Sequence, residues 1–249
     1  INEKETIKFG GTIDMTDLTL GVNSPQGYKD YCASVSVTGS LSCSSNSLIF
    51  YTGFTSDSRD NIIQPNKGER YSITADVSAP VLDMQYFKVK ASAEKFFPLS
   101  AKITTRLSGD LGYADSYGDE LLPFFKNFKT GGPKSVRGFK EGSIGKKIYD
   151  ASYAGFVTYG GKSLVNFSAE TFFPVPGLKN NDSFRMSAFV DAGGVFEDSF
   201  ESSQMRYSAG LGALWLSPFG PLNLSFAAPL NDDKNDETQT FQFGMGTNF

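Results

Sequence analysis

The sequence predicts an all-β protein, an antiparallel transmembrane β-barrel of the outer-membrane type. Apolar and polar residues alternate over many segments of about ten residues, as they do in strands with two different faces. Short turns and long loops also alternate along the chain, an asymmetry that is typical of outer-membrane barrels. No apolar run reaches the length of a membrane helix. The soluble alternative is a β-sandwich, whose strands show a similar alternation.

We predict ten strands from this alternation. They cover residues 6–13, 47–56, 71–79, 85–96, 101–113, 164–173, 183–191, 205–216, 222–228 and 240–248. In the strand 85–96, for example, Phe87 and Val89 occupy one face while Lys88 and Lys90 occupy the other. Aromatic residues cluster at strand ends, as an interfacial girdle would.

The segments between the predicted strands differ greatly in length. Residues 14–46 form a long polar loop in which residues 33–38 are compatible with a short hairpin, and residues 114–163 form a second long loop. Short turns are expected at residues 82–83, 97–100 and 217–221. Long segments without regular structure are uncommon in compact domains and are usually functional.

Composition excludes several classes of function. The 249 residues carry a net charge of −4, so the chain has no basic surface for nucleic acid. The sequence contains no histidine, which excludes Ser-His-Asp and Cys-His catalysis and most sets of metal ligands. The glycines at residues 131–145 match neither a Walker loop nor a dinucleotide fingerprint. We therefore expect no enzyme activity, cofactor or metal.

One motif in the second long loop carries a clear chemical signal. It reads Val136-Arg137-Gly138-Phe139. The guanidinium of Arg137 is a planar fork of five donors that suits carboxylates, and Gly138 lets the backbone pass close to a neighbour. Alternation along two later strands puts Glu170 and Asp191 on one polar face. The residues alone leave three readings open: an arginine paired with these acids, an exposed arginine without a fixed partner, and the two acids as a glycosidase pair.

The two cysteines, Cys32 and Cys43, lie in the first long loop. They are either two free thiols or a local disulfide that closes a small loop, which requires an oxidising compartment. We predict the disulfide, on the cell-surface side.

The order and spacing of several motifs resemble a known family, the polypeptide-transporting barrels of bacterial outer membranes, and in particular its barrel-assembly factors. The motifs are residues 53–61 with Pro65 and Gly68, residues 125–128, 131–132, 136–139, 189–193 and 215–222, and residues 241–243 with Phe249. Together they extend over roughly residues 50 to 249.

The resemblance implies a barrel of sixteen strands, of which this chain would be the C-terminal part. Residues 1–249 would then be a single barrel domain, and periplasmic POTRA domains and the first barrel strands would precede it. The second long loop would fold into the lumen. There the motif at residues 136–139 would be anchored by Glu170 and Asp191.

The resemblance also implies a function, the folding and insertion of β-barrel proteins into the bacterial outer membrane. Client barrels, accessory lipoproteins and the lipid bilayer would be the partners. The last strand would form a weak lateral seam that templates client strands, since an unpaired strand edge is a template for another strand. The seam residues would be Phe241, Phe243, Gly244, Gly246 and Phe249. The alternatives are a polypeptide-secretion translocator of the same family and a porin-like structural barrel.

Overall fold

The computed structural model of the protein describes residues 3–35, 41–117, 122–151, 153–175, 183–197, 199–218 and 220–245. Helix α1 (Gln26–Val35) and a 3-10 turn, Ser202–Gln204, accompany a large set of strands. In chain order the strands are β1 (Glu5–Thr19), β2 (Ser42–Asp57), β3 (Gly68–Ser78), β4 (Tyr86–Ser100), β5 (Ile103–Ser116), β6 (Gly138–Phe139), β7 (Lys146–Asp150), β8 (Gly155–Gly160), β9 (Ser163–Pro174), β10 (Phe184–Phe196), β11 (Arg206–Ser217), β12 (Gly220–Pro229), β13 (Thr238–Gln239) and β14 (Phe241–Met245).

Ten of these strands form one antiparallel sheet, in the order β1-β2-β3-β4-β5-β9-β10-β11-β12-β14. The predicted all-β antiparallel fold is therefore confirmed. Most neighbours in the sheet are also neighbours in the chain, but β5 and β9 pair across a long insertion. We call this insertion, residues 117–162, the central segment. Within the described residues the sheet ends at β1 on one side and at β14 on the other.

One face of the sheet is apolar and the other is polar, and the apolar face is the exposed one. Phe167, Val190 and Leu211 are 53%, 52% and 53% exposed. Glu170 and Asp191 alternate with such residues along the same strands and are buried on the opposite face. A soluble sandwich buries its apolar faces against each other, whereas a membrane barrel turns its apolar face outward to lipid.

The first long loop is shorter than predicted. β1 continues to Thr19 and β2 begins at Ser42, and the two strands stay in register to their ends. Polar cross-strand bonds hold this extension, for example from Ser44 Oγ to Asp17 Oδ1, so the alternation of apolar residues does not reveal it. Helix α1 lies between the strands, which makes the expected hairpin at 33–38 wrong for residues 33–35; residues 36–40 lie outside the described residues. Helices of the described part are all too short to cross a membrane.

Two further expectations about connections are wrong. The turn expected at residues 97–100 is the end of β4, which continues past Pro98 with a register shift before Ser100. Such a bulge accommodates a proline near a strand end. The central segment also has regular structure, because β7 and β8 form a hairpin within it.

Candidate functional site

The central segment lies against the polar face of the sheet, and two glycines allow this close approach. A side chain at Gly193 would collide with Asn166 and with Val136, which is fully buried above it. Gly138 has a φ of +92°, and a methyl group added there would lie 3.2 Å from Ala227 Cβ on β12. The motif at residues 136–139 is therefore pressed onto the sheet between β10 and β12.

The guanidinium of Arg137 forms a two-pronged bond with Asp191 on β10. Nε donates to Oδ2 over 2.7 Å and Nη2 donates to Oδ1 over 2.8 Å. The backbone N–H of Arg137 also donates to Oδ2, over 3.1 Å. Ser168 Oγ on β9 accepts from Nη2 over 3.3 Å and donates to Asp191 Oδ1 over 2.7 Å. Bidentate pairs of this kind are among the strongest side-chain bonds in proteins.

Glu170 on β9 joins Arg137 to a second arginine. Its Oε1 accepts from Arg137 Nη1 over 3.0 Å and from Ser187 Oγ over 2.6 Å. Its Oε2 accepts from Nη2 of Arg106 over 2.9 Å. Arg106 lies directly opposite Glu170 in the pairing of β5 with β9. A row of alternating charge therefore runs over β5, β9 and β10. It consists of Arg106, Glu170, Arg137 and Asp191, and we call it the arginine cluster.

The environment of this arginine cluster keeps Arg137 charged. The side chains of Arg137, Glu170 and Asp191 are 10%, 7% and 0% exposed. Burial alone would lower the pKa of Arg137, but the bond to Asp191 and the charges of both acids raise it above its ordinary value. The guanidinium carbon also lies 3.3 Å from the ring centre of Phe189, a cation–π contact. Two positive and two negative charges therefore balance in a largely buried site.

The cluster is suited to holding the segment in place. All four carboxylate oxygens accept hydrogen bonds, so neither acid is poised to donate a proton as a glycosidase acid must. Within the described part of the chain, no group of three or more Cys, Asp or Glu side chains could hold a metal ion.

The same motif also contacts the end of the sheet. Thr238 and Gln239 of β13 pair with Phe139 and Gly138 of β6. Gln242 of β14 is buried, and its Nε2 donates to the carbonyl of Phe139 over 2.7 Å. The sequence motif is thus linked to both the middle and the last strand of the sheet.

The residues predicted for the seam strand divide between the two faces of β14. Phe241 and Phe243 are 47% and 53% exposed on the apolar face. Gly244 faces the other side, and a methyl group added to it would meet nothing within 4 Å. Gly246 and Phe249 lie outside the described residues.

Cys32 and Cys43 form a disulfide that joins α1 to the start of β2. The helix packs on the central segment: the ring of Tyr28 stacks on that of Phe124 with centroids 3.9 Å apart. Tyr159 Oη accepts a bond of 3.1 Å from the N–H of Gly27. The disulfide therefore fastens a helix that packs against the central segment.

Sequence reasoning missed several members of the site: Arg106, Ser168, Ser187, Phe189 and Gln242. The alternation already places Ser187 and Phe189 on the polar face, because they lie on the same strand and face as Asp191. Arg106 could be found only with the pairing of β5 and β9, and the partner of Gln242 only with the path of the central segment.

An antiparallel sheet with a bare apolar face and a polar face that carries a buried ionic cluster is the wall of an outer-membrane-type β-barrel. The chain matches the Omp85 superfamily domain over residues 1–249 and belongs to this superfamily.

Individual relatives agree with this assignment. The chain is 32% identical to the outer membrane protein assembly factor BamA of Neisseria meningitidis, with all of this chain and 35% of that protein aligned. It is 26% identical to the sorting assembly machinery 50 kDa subunit of Saccharomyces cerevisiae over 79% of this chain and 42% of that protein. The crystal structure of BamA from Haemophilus ducreyi lacking POTRA domains 1-3 matches with a TM-score of 0.88 and 26% identity, over 98% of this chain and 51% of that one. The chain thus spans about a third to a half of the length of these relatives.

Proposed function

We propose that this chain is the barrel part of a factor that folds and inserts β-barrel proteins into the bacterial outer membrane. Relatives named as outer membrane protein assembly factors support this function. We further propose a complete barrel of sixteen strands whose polar face lines the lumen, with the central segment inside it and POTRA domains before it. Client barrels, accessory lipoproteins and lipid would be its partners. The mechanism requires no enzyme chemistry and no cofactor.

The observation that carries the mechanism is the geometry of the edge of β14. The N–H of Ala227 on β12 donates to the carbonyl of Thr240 over 2.9 Å. Because bonding direction alternates along an antiparallel strand, the N–H and C=O groups of Phe241, Phe243 and Met245 point away from β12. Within the described residues they face no other strand. In the proposed sixteen-stranded barrel this edge would meet the first strand, and when that seam opens its row of donors and acceptors can template an incoming strand.

The sequence of β14 also favours easy release. Within the described residues the strand pairs with β12 over residues 241–245. Gly244 weakens this strand, since glycine loses more backbone freedom on ordering and packs no side chain. No crowding at this position requires a glycine. A strand that pairs and releases easily is what a reusable template needs.

The test removes one donor from the free edge. Phe243→Pro deletes an N–H that faces away from β12, and proline is tolerated on such an edge. Phe243→Leu is the matched control, because it changes the side chain but keeps the N–H. The full-length protein with each change would be reconstituted in liposomes, and insertion of an unfolded eight-stranded barrel would be followed by its heat-modifiable gel mobility.

We expect Phe243→Pro to lower the insertion rate at least tenfold and Phe243→Leu to leave it within about twofold, since templating needs main-chain bonds. Equal rates for both variants would refute templating at this edge. Insertion at the uncatalysed rate by the wild type, together with a high steady conductance, would instead assign the chain to the porin-like class.

A further inference from the structure

We propose that Gln242 is a positioning residue that fastens β14, the strand of the lateral seam, to the central segment. Release of the segment from the arginine cluster would therefore also weaken the hold on β14. This inference rests on the proposed function, because it concerns the strand that would act as the template.

The bond that carries the proposal is buried and specific. Gln242 is 2% exposed on the polar face of β14, and its Nε2 donates to the carbonyl of Phe139 over 2.7 Å. Its Oε1 is buried without a hydrogen-bond partner among the described residues. The side-chain amide is thus buried with one hydrogen bond, the bond to the central segment. Loss of this bond would leave a buried polar group unpaired, which costs free energy.

Backbone bonds around Gln242 reinforce this connection. The β6–β13 ladder joins Gly138 and Phe139 to the residues just before β14. The N–H of Lys140 donates to the carbonyl of Glu237 over 2.8 Å. All of these bonds lie at the end of β14 near residue 241, so the strand is fastened there from its polar side.

The path from the seam to the arginine cluster is short. Phe139 is two residues from Arg137, and Gly138 lies against Ala227 on β12, the partner of β14. The motif at residues 136–139 therefore contacts both β12 and β14, while the side chain of Arg137 binds Glu170 and Asp191. If the arginine releases the segment, the bonds of Gln242 and β13 lose their partner as well. The coupling is expected to run mainly in this direction, because the arginine cluster does not include Gln242.

The test is amide hydrogen exchange of the full-length protein in lipid nanodiscs without a client. Gln242→Met keeps the length of the side chain and removes its donor. Gln239→Met is the matched control, since the Gln239 side chain is exposed three residues earlier. Arg137→Lys raises the population of molecules in which the central segment has left the sheet, and it leaves Gln242 unchanged. Heat-modifiable mobility verifies that each variant is folded.

We expect Gln242→Met to speed exchange within residues 241–245 about tenfold at the N–H groups that face β12, those of residues 242 and 244, as the loss of one buried hydrogen bond predicts. Residues 131–137 should stay protected. Arg137→Lys should speed exchange in both segments, and Gln239→Met in neither. The proposal fails if Gln242→Met matches Gln239→Met, or if Arg137→Lys leaves residues 241–245 as protected as in the wild type. Because no client is present, this failure is separate from a failure of Phe243→Pro to block insertion, which alone would remove the proposed function.

Discussion

Replacing Arg137 is the sharpest perturbation of the arginine cluster. Arg137→Ala leaves two buried acids with fewer partners, and removing one member of a buried ion pair costs about 3–5 kcal/mol. Arg137→Lys keeps the charge but loses the planar fork that reaches Asp191 and Glu170 together. Losing at least one bond to a charged group gives a cost of about 2 kcal/mol. At about 1.4 kcal/mol per tenfold change, the open form of the segment should gain more than a hundredfold in Arg137→Ala and about thirtyfold in Arg137→Lys.

Cleavage by a glutamate-specific protease at Glu141 measures this opening. Glu141 is exposed and lies within the central segment, and no variant alters this cleavage site. When opening is fast relative to cleavage, the cleavage rate follows the population of the open form. The exposed cation Lys134 supplies the control, since Lys134→Ala removes a charge from the same segment but should change the rate less than twofold.

A double-mutant cycle links the effect to the ion pair. Arg137→Ala and Asp191→Asn break one interaction, so their combined cost should fall short of the sum by about 0.5–3 kcal/mol. Wild-type cleavage rates in Arg137→Ala, or fully additive costs, would show that the segment is held by something other than this arginine.

Three other predictions concern different parts of the molecule. Gly244→Ala should raise the urea midpoint and slow client insertion severalfold, because the added methyl group fits and alanine favours the strand by about 0.5–1 kcal/mol; greater stability with an unchanged insertion rate would contradict this. Reducing the Cys32–Cys43 disulfide should speed tryptic cleavage within α1, since closing so short a loop contributes about 3 kcal/mol; equal cleavage before and after reduction would rule this out. Burial raises the pKa of Asp236, but its hydrogen bonds, led by that from Lys147, hold it below the ordinary value. Its contribution to loop stability is therefore present above roughly pH 4 and lost as the pH falls further, and a spin label in residues 230–237 should become more mobile only there.

The sequence was informative where a rule of period two applies. Alternation alone placed Glu170 and Asp191 on the polar face, because successive side chains of a strand point to opposite sides. The structure finds both acids there, within bonding distance of Arg137. Most predicted strand ends lie within a few residues of the observed ones, since a strand is recognised by its apolar face.

Prediction failed where polar residues build the structure. The ends of β1 and β2 are stabilised by paired serines, threonines and aspartates, which resemble a loop when they are read singly. Helix α1 and the hairpin β7–β8 depend on contacts with other parts of the chain, such as the stacking of Tyr28 on Phe124. Tertiary contacts of this kind are not encoded in local periodicity.

The arginine cluster also constrains the order in which the molecule is built. Arg137 is synthesised before both of its acidic partners, which lie on β9 and β10, while Arg106 lies on β5 before the insertion. The segment therefore has no complete binding site until these three strands have paired, and its connection through Gln242 further requires β14. Fastening of the segment is therefore a stepwise event that follows the pairing of the sheet. An intermediate that lacks β10 would leave the segment open to proteases, whereas one that lacks only β14 would hold it through Arg137 alone.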